Sequence, residues 1–271
     1  MFHAGAFLEH SLKPSWFQKK QLYNDADGGG THSLRSVACY IAISEAIERW
    51  AFYIASDGPH KIDFAFDIEP STTGMAAFPG LTKTPARRHA HLEAVERWGV
   101  AEWWMGRLPA RRLADSTPSK GALEILTPFS DCTISIVWQQ CSFGGMSYGF
   151  AGGVDIQHAI RHALIEQGRN TNVLGKLFGQ GTQSLNNFPL KDLHVNNERR
   201  LVFFTSKDGV SLFSQRVEVS CHLKKTLALP RKIVDVEIEG PWTRYATVWR
   251  MLYEQSTSDH LNENRNNFFL F

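Results

Sequence analysis

A six-residue phrase occurs twice in this chain of 271 residues. Glu45-Ala46-Ile47-Glu48-Arg49-Trp50 returns 48 positions later as Glu93-Ala94-Val95-Glu96-Arg97-Trp98. Glutamates at i and i+3 share one face of a helix, so each copy predicts a helix with a paired acidic face. Both copies lie in apolar surroundings and end in tryptophan, which puts the charge close to buried surface. A solvated helix with i,i+4 pairs (Glu45–Arg49, Glu93–Arg97) would explain one copy, at about 0.2–0.5 kcal/mol per pair. Two unrelated solvent faces have no reason to share the phrase. Two such helices facing each other gather four carboxylates and two guanidiniums, and that much like charge calls for a compensating ligand. Divalent metal with phosphate is the natural candidate. A looser third copy runs through Ala163-Leu164-Ile165-Glu166-Gln167-Gly168-Arg169.

The rest of the chain supports a large folded core. With 43% hydrophobic and 12% aromatic residues there is ample apolar surface, and 21% charged residues is ordinary. A net charge of +2 without a basic stripe gives nucleic-acid binding no support. Cys39, Cys132, Cys141 and Cys221 have no ligand spacing and read as reduced, buried thiols. The start has no apolar signal-type segment and no run approaches a membrane span, so a soluble cytoplasmic protein is expected.

Coarse patterning predicts an irregular or partly helical start over 1–27 and a permissive turn at Gly28–Thr31. Helices are expected over 33–55, from Thr84 as N-cap to about 105, and from Asp155 as N-cap to about 169. Strands are expected over 61–68, 123–127, 133–139, 200–205, 210–219 and 233–238, with a Gly-rich strand or loop at 142–153. Residues 243–254 are amphipathic or strand-like, and 170–198 reads as a long surface connection. The apolar end, Phe268-Phe269-Leu270-Phe271, should dock on this chain or on a partner. Helices interleaved with strands make the class α+β.

Carboxylates are hard ligands suited to Mg²⁺, which takes one or two of them together with phosphate oxygens and water. Guanidinium matches phosphate in fork geometry. No P-loop sequence occurs, and Gly28-Gly29-Gly30 alone is weak evidence for nucleotide. The hydroxyl turn Ser71-Thr72-Thr73-Gly74 is equally a phosphate contact or a self-satisfied turn. His89 and His91, with His162, make a poor zinc site, because i,i+2 residues on a helix point apart. His162 can also be a nucleotide contact or a structural histidine. Cys132 and Cys141 show no activating partner, and Trp103-Trp104 reads as core.

Taken in order, three segments resemble the YcaO family. They are Gly28-Gly29-Gly30-Thr31 with Ala38 and Ser44–Arg49; Pro70–Ala77 with Leu92–Arg97; and Gly152-Gly153 with Ala159, Arg161–Leu164 and Glu166. The resemblance covers about 28–170. It implies a single YcaO-like domain over 1–271, with mixed or antiparallel sheets, an ATP and Mg²⁺ motif region at 28–170 and a strand-rich part at 171–271. Its implied metal ligands are Glu45, Glu48, Glu93, Glu96 and Glu166. Arg97, Thr31, Ser71, Thr72 and His162 are the implied nucleotide contacts, and no catalytic residue is assigned. The implied activity is ATP-dependent O-phosphorylation of a peptide backbone amide, giving a thioamide, azoline or amidine in a ribosomally made peptide. Implied partners are the precursor peptide and a separate protein for leader recognition or sulfur delivery, with a homodimer possible and neither nucleic acid nor membrane. The sequence departs from the family at Ile41 (usually Ser), at His162 (usually Gln), at Trp98 (often Asp), in the Gly-rich loop, which lacks the usual Lys, and at the end, which lacks the proline-rich tail of azoline-forming members. These departures support a second reading, a non-catalytic YcaO-like subunit of a modification complex. A helical interaction protein without nucleotide is a third.

Overall fold

The computed structural model describes residues 1–17, 21–23, 26–179, 188–224, 227–256, 258–262 and 264–270. The chain is α+β, and every strand pairing among these residues is antiparallel. It packs as two compact units: Met1–Gln18, Asn24–Ala94 and Pro230–Glu254 form one, and Lys19–Tyr23, Val95–Leu229 and Gln255–Phe271 form the other.

In the first unit, β1 (Phe2–Ala6) pairs with β2 (Gly28–His32), and β2 lies on α1 (Arg35–Asp57). Glycine is required for that contact. A Cβ on Gly28 would sit 2.0 Å from the Ala42 carbonyl oxygen, and one on Gly30 1.8 Å from that of Ala38. Ala38, Ala42 and Ala46 recur every four residues and give α1 the flat buried face on which the strand rests. A second sheet has the order β3 (Met75–Pro79), β9 (Ala246–Tyr253), β8 (Lys232–Glu237). Phe52, Phe66, Met75, Trp242 and Val248 form this unit's core.

The second unit is built on a sheet of β4 (Ala110–Arg112), β5 (Lys120–Ile125), β6 (Thr133–Gln140) and β7 (Met146–Gly153), in that order. Alternation splits β7. Gly149 meets α3 (Ile156–Phe178), where a Cβ would lie 2.1 Å from the Ala163 carbonyl oxygen. Tyr148 and Phe150 project to the other face. There they meet Phe204 of α4 (Asn196–Thr205), Phe213 of α5 (Lys207–His222) and Phe269. Asp155 caps α3 as expected, accepting the His158 N–H at 2.7 Å. The helix continues to Phe178, beyond the expected end.

Several expectations fail for identifiable reasons. Residues 61–68 form successive turns: Ala65 N–H donates to the Ile62 carbonyl, Ala65 has φ 53°, and Ile62 and Ile68 are exposed. The alternation there has no strand partner behind it. The expected strands 200–205 and 210–219 are helices α4 and α5, which removes the strand-rich character assigned to 171–271. Their apolar residues fit a helical stripe, with Phe213 and Val217 buried at i,i+4 and Val210 half-buried at i−3. Ser206 caps α5, accepting from Gly209 N–H. Gly28–Thr31 is strand, and so is part of the supposedly irregular start. Helix α2 (Lys83–Trp104) begins one residue before the expected N-cap, which puts Thr84 inside its first turn. All four cysteines are free as expected, but Cys39 is exposed. Phe268, Phe269 and Leu270 dock on their own unit, and Phe271 lies outside the described residues, as does 180–187 of the expected long connection.

Candidate active site

Glu45, Glu96 and Glu166 are placed by their helices and aimed by strands. In the first unit Glu45, half-buried on α1, accepts the Gly29 N–H through Oε2 at 2.8 Å. The bond is short because β2 lies directly on the helix. Glu48 and Glu93 are also half-buried. Thr31 is buried, with its hydroxyl 2.9 Å from His3 Nδ1.

The hydroxyl turn is internally knitted. Ser71 Oγ lies 2.7 Å from Glu69 Oε1 and 2.9 Å from Thr73 Oγ1, and accepts the Thr73 N–H at 3.2 Å. Thr72 is half-buried beside it. Beneath the turn is Arg250, fully buried on β9. It donates to the carbonyls of Ser71 (2.8 Å) and Glu69 (2.7 Å), with its guanidinium 3.8 Å from the Phe66 ring centroid. Burial pulls its pKa down to about 10, opposed by the fields of Glu69 and Glu93. Sequence reading missed Arg250, because an arginine alternating with apolar residues on a strand looks like an outward-facing charge.

In the second unit Glu96 accepts the Gly152 N–H at 2.8 Å, and Glu166 accepts that of Phe150 at 2.7 Å. Burial is the largest cause lifting the Glu166 pKa to about 8. The Glu96 carboxylate adds to the lift, while Arg97 and Arg169 oppose it. Burial raises Glu96 as well, against the pull of Arg97. Arg97 Nε is 3.6 Å from Glu96 Oε1, and its guanidinium sits over the Phe150 ring at 5.3 Å. Two carboxylates that repel each other, next to guanidinium, are therefore built into this unit. Tyr23 borders them: its hydroxyl donates to Asn170 Oδ1 at 2.6 Å, and Asn170 Nδ2 in turn donates to the Tyr148 carbonyl at 2.9 Å. Neither Tyr23 nor Asn170 carries a motif signal.

The histidines do not form a metal centre. His89 stacks on Phe78, His91 Nδ1 pairs with the Tyr253 hydroxyl at 2.9 Å, and the exposed His162 stacks on His158 at 4.4 Å. Among the described residues no group of three or more His, Cys, Asp or Glu side chains is placed to hold a metal ion. The donor chemistry does fit Mg²⁺, which needs only one or two carboxylates when phosphate and water complete its shell. A carboxylate has two oxygens, so a backbone N–H on one aims Glu45, Glu96 and Glu166 without exhausting them. Burial lifts the Cys132 thiol to about 12, which removes it as a ready nucleophile. No helix among the described residues is long and apolar enough to cross a membrane.

No known protein-family profile matches the chain, and neither does any curated protein. Among solved structures it is similar to the heterocyclase TruD, with 14% identity, a TM-score of 0.38 and coverage of 69% of this chain. The match covers 30% of the TruD chain, less than a third of its length.

Proposed function

We propose that the chain binds ATP with Mg²⁺ and activates a backbone amide of a ribosomally made peptide by O-phosphorylation, giving a thioamide, azoline or amidine. One observation carries this reading: Glu96 and Glu166, both at motif positions, share a water-poor environment beside Arg97 and Arg169, with Glu166 lifted to about 8. A divalent cation removes that repulsion, and a polyanion satisfies the guanidiniums. In the second unit Glu96 and Glu166 would hold the metal and Arg97 would contact phosphate. In the first unit Glu45, Glu48 and Glu93 would serve as metal ligands, and Thr31, Ser71 and Thr72 as nucleotide contacts. His162, exposed on α3, is the remaining nucleotide contact. Magnesium supplies charge neutralisation on the transferring phosphoryl group. After a nucleophile adds to the amide carbon, its former carbonyl oxygen takes the γ-phosphoryl, ADP departs, and phosphate later leaves with that oxygen. Arg97 orients the phosphate, and the backbone-anchored glutamates need no reorganisation to do their part. A separate protein delivers the peptide or the sulfur.

The test is ATP consumption with and without precursor peptide and partner, for wild type, Glu48→Gln and Glu166→Gln. Peptide-dependent turnover lost in both variants supports the reading. Titration with a non-hydrolysable ATP analogue and Mg²⁺ separates binding from turnover, and absence of binding ends the proposal. Tight binding without turnover would favour a non-catalytic subunit. The exposed His162, stacked on His158 where the family usually has Gln, points the same way.

A further inference from the structure

The small sheet of the first unit ends in an open edge. Among the described residues β1 pairs only with β2. The pairing fixes which groups point outward. Gly29 gives its N–H to Glu45 and not to Gly5, the residue opposite it. Gly5 and Gly29 are therefore a non-hydrogen-bonded pair, and the N–H and C=O of Gly5 face away from β2. His3, two residues earlier, has the same orientation. Both residues are exposed. Natural strand edges are commonly protected by charge, proline or a bulge. Phe2-His3-Ala4-Gly5-Ala6 has no Lys, Arg, Asp, Glu or Pro, and its register with β2 is unbroken. A two-stranded sheet is marginal by itself.

A flank of α1 lies beside that edge. Successive residues of a helix turn by about 100°, so Glu45 falls on one side of the Ala38–Ala42–Ala46 ridge, and Cys39 and Ile43 fall on the other. Glu45 reaches the edge of β2 that faces away from β1, which puts β1 on the Cys39 and Ile43 side. Ser36, Cys39 and Ile43 stand at i, i+3 and i+7 along this flank, all exposed and uncharged, and Tyr40, 61% exposed, borders them. Ala4 lies opposite Gly30, whose approach to α1 is at Ala38 and Ala42, so the middle of β1 is level with the middle of this flank.

We infer that this face is an interface between two copies of the chain, related by a two-fold axis that passes perpendicular to the sheet near Ala4. One operation serves both surfaces. It sets β1 antiparallel to its counterpart, with His3 opposite Gly5 on either side of the axis exchanging N–H···O bonds, and makes a continuous sheet in the order β2–β1–β1–β2. It also sets α1 antiparallel to its counterpart on the same face of that sheet. With about 4.8 Å between strands, two helices each centred under a hairpin come about 10 Å apart, an ordinary helix-packing distance. Ile43 of each copy then packs against the smaller Ser36 and Cys39 of the other, and no charged side chain among them opposes like meeting like. A lone strand from another protein would complete the edge but bring no helix to cover the flank. The interface does not depend on the proposed ATP chemistry.

The test is sedimentation velocity of the full chain over a wide concentration range, with amide hydrogen exchange at Gly5 read on the same samples. Wild type should dimerise as concentration rises, and Gly5 exchange should slow in step. Ile43→Glu, which places a carboxylate at the axis in both copies, should weaken association by about 100-fold or more and restore fast Gly5 exchange. Because Ile43 is exposed, the dichroism of the dilute variant should match wild type. Leu229→Glu, at another exposed apolar residue, should leave association unchanged. A bismaleimide should cross-link wild-type dimer through Cys39, and Cys39→Ser should abolish the cross-link. A chain that is monomeric at every concentration would overturn the inference and leave the edge to a strand from another protein. A dimer unaffected by Ile43→Glu, or one in which Gly5 exchange does not follow association, would overturn it as well, since a single two-fold axis must use both surfaces.

Discussion

Phe269→Ala should be among the most damaging single substitutions in the second unit. The side chain has no exposed surface. Its ring centroid lies 4.9–6.1 Å from those of Phe204, Phe213, Tyr148, Trp104, Trp103 and Phe150. Those rings come from α2, β7, α4 and α5, so the deletion leaves a hole where four elements meet. The hole cannot collapse easily, because the backbone on either side is pinned. Arg200, itself buried, donates to the carbonyls of His260 (2.7 Å), Arg265 (3.1 Å), Leu270 (3.1 Å) and Asn262 (3.3 Å). Phenylalanine-to-alanine changes in such settings cost about 3–5 kcal/mol, and the edge-to-face geometry places this one in the upper half, at about 4 kcal/mol. At about 2–4 °C per kcal/mol for a domain of this size, melting should fall by about 8–16 °C. The assay is thermal unfolding followed by near-ultraviolet dichroism, which reports the packed aromatics. Phe7→Ala, at a side chain 65% exposed, is the control and should shift stability by no more than about 0.5 kcal/mol. A Phe269→Ala loss no larger than the Phe7→Ala loss would refute the claim that the chain end is part of the core.

Three further outcomes follow from the site. Glu166 has its folded-state pKa lifted to about 8 from its ordinary value of 4.5, so the folded state holds a proton that the unfolded state has released between those pH values. Stability contributed by this group is therefore present below about pH 4.5 and lost as pH rises through about 8. In chelator-treated protein Glu166→Gln should match wild type near pH 4.5 and exceed it near pH 8; urea midpoints across that range check this, and parallel curves would contradict it. Gly30→Ala should destabilise by more than about 3 kcal/mol or prevent folding, since backbone must move to admit its Cβ, whereas Gly144→Ala, at φ 88° with open space around it, should cost about 1 kcal/mol in chemical denaturation. Glu45→Gln keeps an oxygen to accept the Gly29 N–H and should hold stability within about 1 kcal/mol, while Glu45→Ala strands that donor and should cost about 1–3 kcal/mol; equal melting temperatures for the two would show that the bond contributes nothing.

The helices bearing the glutamates were legible because their signals are local: alanines every four residues, a capping aspartate at 155, and the repeated phrase itself. The class was legible too, since long helical stripes alternate with short β-rich runs. The β-branched residues of 210–219 suggested a strand, yet Phe213 and Val217 needed only a helical stripe against a sheet floor that a one-dimensional reading does not show. The run 61–68 had perfect alternation but no partner strand, and alternation stabilises nothing without one. The least legible residues were Arg250, Arg200, Tyr23 and Asn170. Each acts on a backbone or side-chain group far away in sequence: Arg250 on Ser71 across 179 positions, Tyr23 on Asn170 across 147, and Arg200 on Leu270 across 70. No local pattern encodes such a pair.

The repeated phrase has a packing reason as well as a chemical one. Gly29 donates to Glu45 and Phe150 donates to Glu166, both across 16 positions. A Cβ on Gly28 would meet Ala42 and Ala46, and one on Gly149 would meet Ala163 and Gln167, at the same offsets of 14 and 18. The β2–α1 and β7–α3 pairs are thus the same construction: a glycine-bearing strand laid on the small-residue face of the helix that follows, with a helix glutamate accepting the N–H next to that glycine. Helix α2 carries the same buried spacing in Ala86, Ala90 and Ala94, with Glu93 at the equivalent place. Against this frame the third copy has Arg169 where α1 has Glu48 and Asn170 where it has Arg49. The first glutamate of each copy is therefore under two demands, and fold geometry alone explains why it recurs. The second carboxylate on α2, Glu96, has a strand partner of its own, the Gly152 N–H on β7 at 2.8 Å. A second carboxylate near the first raises the free energy of the folded state unless positive charge answers it; on α2 Arg97 Nε, 3.6 Å from Glu96 Oε1, answers part of it, and a metal-bound phosphate would relieve the rest.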